Sequence, residues 1–201
     1  GLASYGKSGE DLSFFLHSTE KGFEVNNSFG RAGRPATQFE PYYSDFLIKK
    51  LGDPRKPTER ITQRHIEIAR GTQLALEKAI LSLITYAQSK LDSKDSAREN
   101  LCLAGGVALN CSANGAILRA KKIKEIFIAP ASSDRGLSLG CAFEGANYYR
   151  EKISQLNHHY LGSNRPNLNI SRTLSSLGLT HRKTMDITGY ASSQIAAGKI
   201  L

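Results

Sequence analysis

What the chain lacks narrows its class first. No apolar run in its 201 residues is long enough to cross a membrane. No basic stretch leads into a short apolar one, so no secretory leader is visible. The chain opens GLASYG without an initiator Met. That reads as an excised or processed chain, so the missing leader carries little weight. There is no internal repeat and no low-complexity tract. Only three cysteines occur, Cys102, Cys111 and Cys141, an odd number with no CxxC spacing. This argues against a disulfide framework and against a zinc site. The simplest reading is small buried apolar side chains in a reducing compartment, and the expected location is cytoplasmic. No HxxxH or HExxH pattern is present, so the chain cannot complete a metal site from its own histidines. His158 and His159 are adjacent and point apart, while His17, His65 and His181 stand alone. No Ser/His/Asp or Cys/His arrangement can be assembled for nucleophilic catalysis.

What is present is ordinary for a globular protein. Apolar residues make up 40% and charged residues 22%, enough for a sizeable core in one large or two small domains. The formal charge is +9, partly clustered at Arg119, Lys121, Lys122 and Lys124 and at Lys49, Lys50, Arg55 and Lys56. Neither cluster interleaves aromatics, which argues against a nucleic-acid partner. A solvated basic face is the simpler reading, and such a field would also steer a polyanionic small molecule or a nucleic acid inward.

Local patterns place the elements. The glycine-rich start, residues 1–9, fits neither a Walker A loop nor a GxGxxG, and a plain turn explains it. Leu12 to His17 and Phe23 to Asn26 read as strands joined by a turn at Glu20-Lys21-Gly22. Residues 30–41 read as a connection. Tyr42 to Leu51 reads as a short helix closed by Gly52 and Pro54. Thr62 is a candidate N-cap for a helix of about 25 residues. Its stripe is Ile66, Ala69, Gln73, Leu76, Ile80, Leu83 and Ala87. Leu74, Leu81 and Ile84 widen that stripe, so burial on more than one side is expected. Gln73 and Glu77 are polar positions near this face, most simply a rim pair or a satisfied amide. Residues 157–170 read as a linker between residues 1–156 and 171–201. Beyond it, Ser171 to Leu177 reads as helix, His181 to Met185 as strand and Tyr190 to Ala197 as helix. Gly198 is the stop, and Ile200-Leu201 the start of a further strand.

The stretch from Asn100 to Tyr149 organises the rest. An apolar strand (Leu101 to Ala104) runs into Gly105-Gly106 and a helix. A second strand (Ile126 to Ala129) runs into Ala-Ser-Ser-Asp-Arg-Gly and another helix. Such units bring backbone N–H groups and a carboxylate to one edge of a sheet. Glycines let the backbone turn sharply and let a ligand approach, and the helix start suits an anion or a nucleotide. Asn110, one turn into that helix, offers both a donor and an acceptor. A plain strand-to-helix turn accounts for the same residues equally well. Asp134 could bind a hard metal, act as a base, or cap the helix that follows, the cap being the simplest.

The same stretch carries a specific resemblance. L-C-L-A-G-G-V-A-L-N, then S-A-N-G, then I-F-I-A-P-A-S-S-D-R-G-L-S-L-G-C-A resembles the nodulation-protein and antibiotic-tailoring O-carbamoyltransferases. G-L-A-S-Y-G resembles that family's GLAPYG. I-T-Q-R-H-I-E-I-A-R-G-T-Q-L-A-L-E resembles the helix before its GGVALN strand. Y-L-G near residue 160 and A-A-G-K-I-L resemble the approach to its second domain. The resemblance implies an α/β fold. Residues 1–156 would form the second lobe of an actin-like, sugar-kinase-like ATPase domain of the ribonuclease H-like class. Residues 171–201 would begin a smaller α/β domain similar to the carbamoyl-adenylate-forming domain of tRNA threonylcarbamoylation enzymes.

It also implies chemistry. Such enzymes make carbamoyl-adenylate from carbamoyl phosphate and ATP, then move the carbamoyl group to a hydroxyl of a sugar or antibiotic. By position, Gly105, Gly106 and Asn110 would contact the adenylate, with Gly6 a weaker nucleotide-side candidate. Asp134 would be a ligand of iron or another divalent metal, able to stabilise charge on the carbamoyl oxygen. Four features depart from the family pattern. The family's histidine ligands and its GPRALG motif are absent from these 201 residues. Arg135 stands where a small residue is common, and Ser4 replaces a proline. The chain alone is therefore expected to be catalytically inert and, if an isolated lobe, to self-associate through exposed apolar surface. GGVALN rather than GGVAAN, together with GLASYG, favours this family over the related tRNA-modifying ATPase. A nucleotide-binding module without catalysis is the alternative from another class.

Overall fold

A computed structural model describes residues 1–29, 43–92, 94–153, 156, 158, 162 and 169–200. The connection read at residues 30–41 lies outside them, as does most of the linker read at 157–170. Two compact units are present, Gly1–Gln155 and Leu156–Leu201.

Among the described residues the first unit is mixed α/β, with two small sheets. Strands β1 (Leu16–Thr19) and β2 (Gly22–Val25) form an antiparallel hairpin with Thr19 opposite Gly22. β1 starts later than its apolar run suggests because Leu12 to Phe15 is used in a turn. There the N–H groups of Phe15 and Leu16 both reach the Leu12 carbonyl, each at 3.0 Å. Asp11 opens that turn by accepting the Ser13 N–H at 2.9 Å. The backbone hydrogen bond from Ser13, then its side chain, hold the Asp11 carboxyl below its usual value.

Helix α1 (Asp45–Leu51) is short and ends at Gly52, whose φ of +81° suits only glycine well. Helix α2 (Gln63–Ser89) is the long element. It starts after Thr62, as its cap chemistry suggests, and His65 completes the start: its Nδ1 accepts the Thr62 N–H at 2.9 Å. Helix α2 is buried on more than one side, as the widened stripe suggests: Gly71, Ala79 and Ile84 lie at different angles around it. Ala79 and Ile84 are buried, whereas Leu83 is 45% exposed. Leu83 instead lines an open apolar groove of about 450 Å³ with Leu16, Phe23, Leu76 and Ile80.

Strands β3 (Asn100–Leu103) and β4 (Glu125–Ile128) pair in parallel, Leu101 opposite Ile126 and Leu103 opposite Ile128. Strand alternation sends Leu101, Leu103 and Ile126 to the face that packs against the core of Ile84, Ile117 and Ile123. Helix α3 (Cys111–Arg119) supplies Ile117, the most deeply buried large side chain. Helix α4 (Leu137–Tyr148) has no buried residue, and Leu137, Phe143 and Tyr148 are exposed along it.

The cysteine reading is corrected. All three thiols are free, as the odd count suggests, but all three are exposed. Cys102 falls on the face of β3 opposite its core-packed leucines. Cys111 sits at the first position of α3, and Cys141 lies on the unburied α4.

The second unit holds α5 (Ile170–Ser176) and α6 (Ile187–Ala196), capped by Asn169 and Asp186. His181 to Met185 is not a strand, because no neighbouring strand offers it a ladder among the described residues. Ile200 belongs to no element. No helix among the described residues is long and apolar enough to cross a membrane.

The N-terminal glycines explain how α2 is held. A Cβ on Gly9 would come within 2.8 Å of the Gly71 nitrogen, and one on Gly71 would collide with the Glu10 backbone. Two backbones meet there, fixed by the Glu10 N–H on the Glu67 carbonyl at 3.0 Å. Gly71→Ala is therefore expected to destabilise the chain by about 1–3 kcal/mol. Helix propensity alone would instead give a gain of about 1 kcal/mol. The urea midpoint decides between the two signs.

Candidate functional site

Parallel strands β3 and β4 end side by side, so the turns that follow them share one sheet edge. One hydrogen bond ties these turns together, from the Gly105 N–H to the Ser132 carbonyl at 2.7 Å. Ser132 is buried at 8% exposure, and its hydroxyl bonds back to the Ala129 carbonyl. The second turn is drawn close by Gly136, where a Cβ would collide with the Ala131 carbonyl oxygen.

The glycine turn differs from the simple strand-to-helix turn in one respect. Residues Gly106–Leu109 form a single 3-10 turn, and α3 begins only at Cys111. Asn110 is thus the N-cap of α3 rather than a residue one turn inside it. The reason is local. Its backbone, at φ −78° and ψ 93°, breaks the helical path, and its side-chain oxygen takes the Ala113 N–H at 3.0 Å. Asn114 secures the preceding turn by donating to the Ala108 carbonyl at 2.8 Å.

Gly105 sits at φ +88° and ψ 168°, a region open essentially to glycine alone. Nothing lies within 4 Å of a Cβ built on Gly105 or Gly106. Both face open space, which leaves room for a ligand to approach the backbone. Gly6 is different: a Cβ there would sit 2.6 Å from Arg70 Cβ. Its smallness serves close packing on α2, away from these two turns in sequence and in element.

Asp134 opens a 3-10 turn, Asp134–Gly136, whose N-cap is Ser133. α4 follows with Gly136 at its N-cap, and neither start has a side-chain cap hydrogen bond. The capping role read for Asp134 is therefore corrected. Its carboxylate is exposed and makes no hydrogen bond or ion pair among the described residues. Among those residues no group of three or more His, Cys, Asp and Glu could hold a metal ion. Asp134 offers one carboxylate, which alone does not make a metal centre.

Gln73 and Glu77 are the residues that motif reading passes over. The Gln73 and Asn110 amides pair reciprocally. Asn110 Nδ2 donates to Gln73 Oε1 at 2.9 Å, and Gln73 Nε2 donates to Asn110 Oδ1 at 3.2 Å. Gln73 Nε2 also donates to Glu77 Oε1 at 2.8 Å. The signal was two polar residues one turn apart on a largely apolar face, and nothing in sequence spacing joined them to a residue 37 positions away.

Comparison with known proteins identifies the stretch. The family described as Carbamoyltransferase N-terminus matches residues 4–143, more than two thirds of the chain, and the match runs through both turns. An uncharacterized protein of Synechocystis is 38% identical over 128 residues, covering 63% of this chain and 19% of that protein. Nodulation protein NolNO of Sinorhizobium fredii is 33% identical over 101 residues, covering 50% of this chain and 14% of its own length. Nodulation protein NolO of Bradyrhizobium diazoefficiens is 37% identical over 81 residues, covering 40% and 14% respectively. The chain spans less than a fifth of each relative.

The two glycines of the turn separate conformation from space. Gly105→Ala is expected to cost about 1–3 kcal/mol through backbone strain. Gly106→Ala, with open space and no positive φ, is expected to stay within about 0.5 kcal/mol of the parent chain. Urea unfolding of the two variants checks the contrast. Within its first 143 residues the sequence matches the family from residue 4 onward, and the chain belongs to the carbamoyltransferase N-terminal family.

Proposed function

We propose that this chain is the nucleotide-side part of an O-carbamoyltransferase. The whole enzyme would form carbamoyl-adenylate from carbamoyl phosphate and ATP. It would then pass the carbamoyl group to a hydroxyl of a sugar or antibiotic-like acceptor. In that last step the acceptor oxygen bonds to the carbamoyl carbon as the bond to the adenylate phosphate oxygen breaks, AMP leaves and the hydroxyl proton passes to solvent. The observation that carries the reading is the family match, which includes Gly105, Gly106, Asn110 and Asp134 in one continuous span. The nodulation relatives support it.

The geometry is compatible with a nucleotide role. The open Gly105-Gly106 backbone would admit a phosphate or ribose without side-chain obstruction. The Gly105–Ser132 hydrogen bond would keep that backbone in register with the Asp134 turn. A bound iron or other divalent metal would supply charge stabilisation at the carbamoyl oxygen. Asp134 would give such a metal one carboxylate, and no group of three or more His, Cys, Asp and Glu among the described residues completes the set. The first unit would be the second lobe of an actin-like ATPase domain, and the second unit the start of a carbamoyl-adenylate-forming domain.

The test pairs two proteins. The full-length protein containing this chain is expected to consume carbamoyl phosphate in an ATP-dependent reaction, and the 201-residue chain alone is expected to show none. Turnover by the 201 residues alone would contradict the half-site reading. A full-length protein that leaves carbamoyl phosphate untouched would contradict carbamoyl transfer.

A further inference from the structure

We infer that Gln73 and Glu77 are positioning residues for Asn110, and that they leave Asn110 only a donor to offer a ligand. The ligand atom it meets would then be an uncharged acceptor, such as a ribose oxygen of a nucleoside. This inference rests on the nucleotide-side reading given above.

The polarity of the network has one solution. A carboxylate only accepts, so Glu77 fixes the nitrogen of Gln73 toward itself. At the other end the Ala113 N–H only donates, so it fixes the oxygen of Asn110 toward α3. The two amides then meet head to tail, each nitrogen on the other's oxygen. Both ends demand the same orientation, so neither amide can flip alone without breaking three hydrogen bonds.

The remaining capacity of Asn110 follows by counting. Its oxygen already receives two hydrogens, from Ala113 and from Gln73. Its nitrogen gives one hydrogen to Gln73 and keeps one. The half-buried side chain therefore presents a single unused N–H. An unheld asparagine could read either a donor or an acceptor, whereas this one reads an acceptor. The Glu77 charge is linked to Asn110 through Gln73, so a phosphate at that N–H would meet a negative neighbour. A neutral ribose oxygen would not.

The test uses the full-length protein containing this chain, with adenosine and AMP as probes in calorimetric titrations. Gln73→Met keeps the length of the side chain and removes its hydrogen bonds. It is expected to weaken both probes equally, by about tenfold. In an Asn110→Ala background the same change is expected to do nothing further. In nitrogen-resolved NMR the Asn110 side-chain NH2 pair is expected to move toward solvent-exposed values in Gln73→Met. Should that variant fail to fold, Glu77→Met reads the same chain of bonds, with about a threefold loss expected. Unchanged affinity, or an equal loss in the Asn110→Ala background, overturns the positioning role while the nucleotide site stands. A loss confined to AMP overturns the ribose assignment. If the unaltered full-length protein binds neither probe, the nucleotide reading itself fails, and this inference with it.

Discussion

The paired amides of Gln73 and Asn110 are the contact on which the rest of the site depends. They join a helix formed early in the chain to a turn 37 residues later. Apolar packing between α2, α3 and β3 brings these elements together, but packing is non-directional and tolerates sliding. The amide pair is directional. It sets which atom of Asn110 faces α3, and so where α3 begins. With α3 started at Cys111, the preceding residues are confined to a single 3-10 turn, and the chain must reverse at Gly105. Gly105 then donates to Ser132 and draws the second turn alongside the first. Each step constrains the next by geometry, and breaking the first would strip two half-buried amides of their mutual hydrogen bonds, at about 1–3 kcal/mol.

Local chemistry was legible in the sequence wherever one residue decides it. Thr62 marks the start of α2 because a hydroxyl before an amphipathic stripe favours an N-cap. Gly105 marks a turn because only glycine occupies its backbone conformation without strain. The parallel strand–turn–helix units followed from two short apolar runs each closed by small residues. What stayed hidden depends on tertiary contact. Asn110 reads as a helix residue until Ala113 is seen to need its oxygen. Asp134 reads as a cap, yet the helix after it starts at Leu137 with Gly136 at its N-cap, two residues beyond Asp134. The cysteines read as core because free thiols usually are, but alternation on β3 and the unburied α4 put them in solvent. His181 to Met185 carries strand-like residues and has no strand to pair with among the described residues.

The exposed apolar surface fits the same picture. Phe127 on β4 is 62% exposed, and α4 buries nothing. An apolar helix of this kind is ordinarily covered on at least one face. The ordered network around Asn110 therefore does not rest on a large core. It rests on a small cluster, Ile84, Ile117 and Ile123, and on polar contacts that are individually modest but mutually oriented.

A double-mutant cycle in urea tests this dependence most directly. It uses the Gln73→Ala and Asn110→Ala variants, alone and combined. If the amide pair couples α2 to the glycine turn, the two changes should fall short of additivity by about 0.5–3 kcal/mol. Strict additivity would show that the two side chains act independently, and would contradict the account.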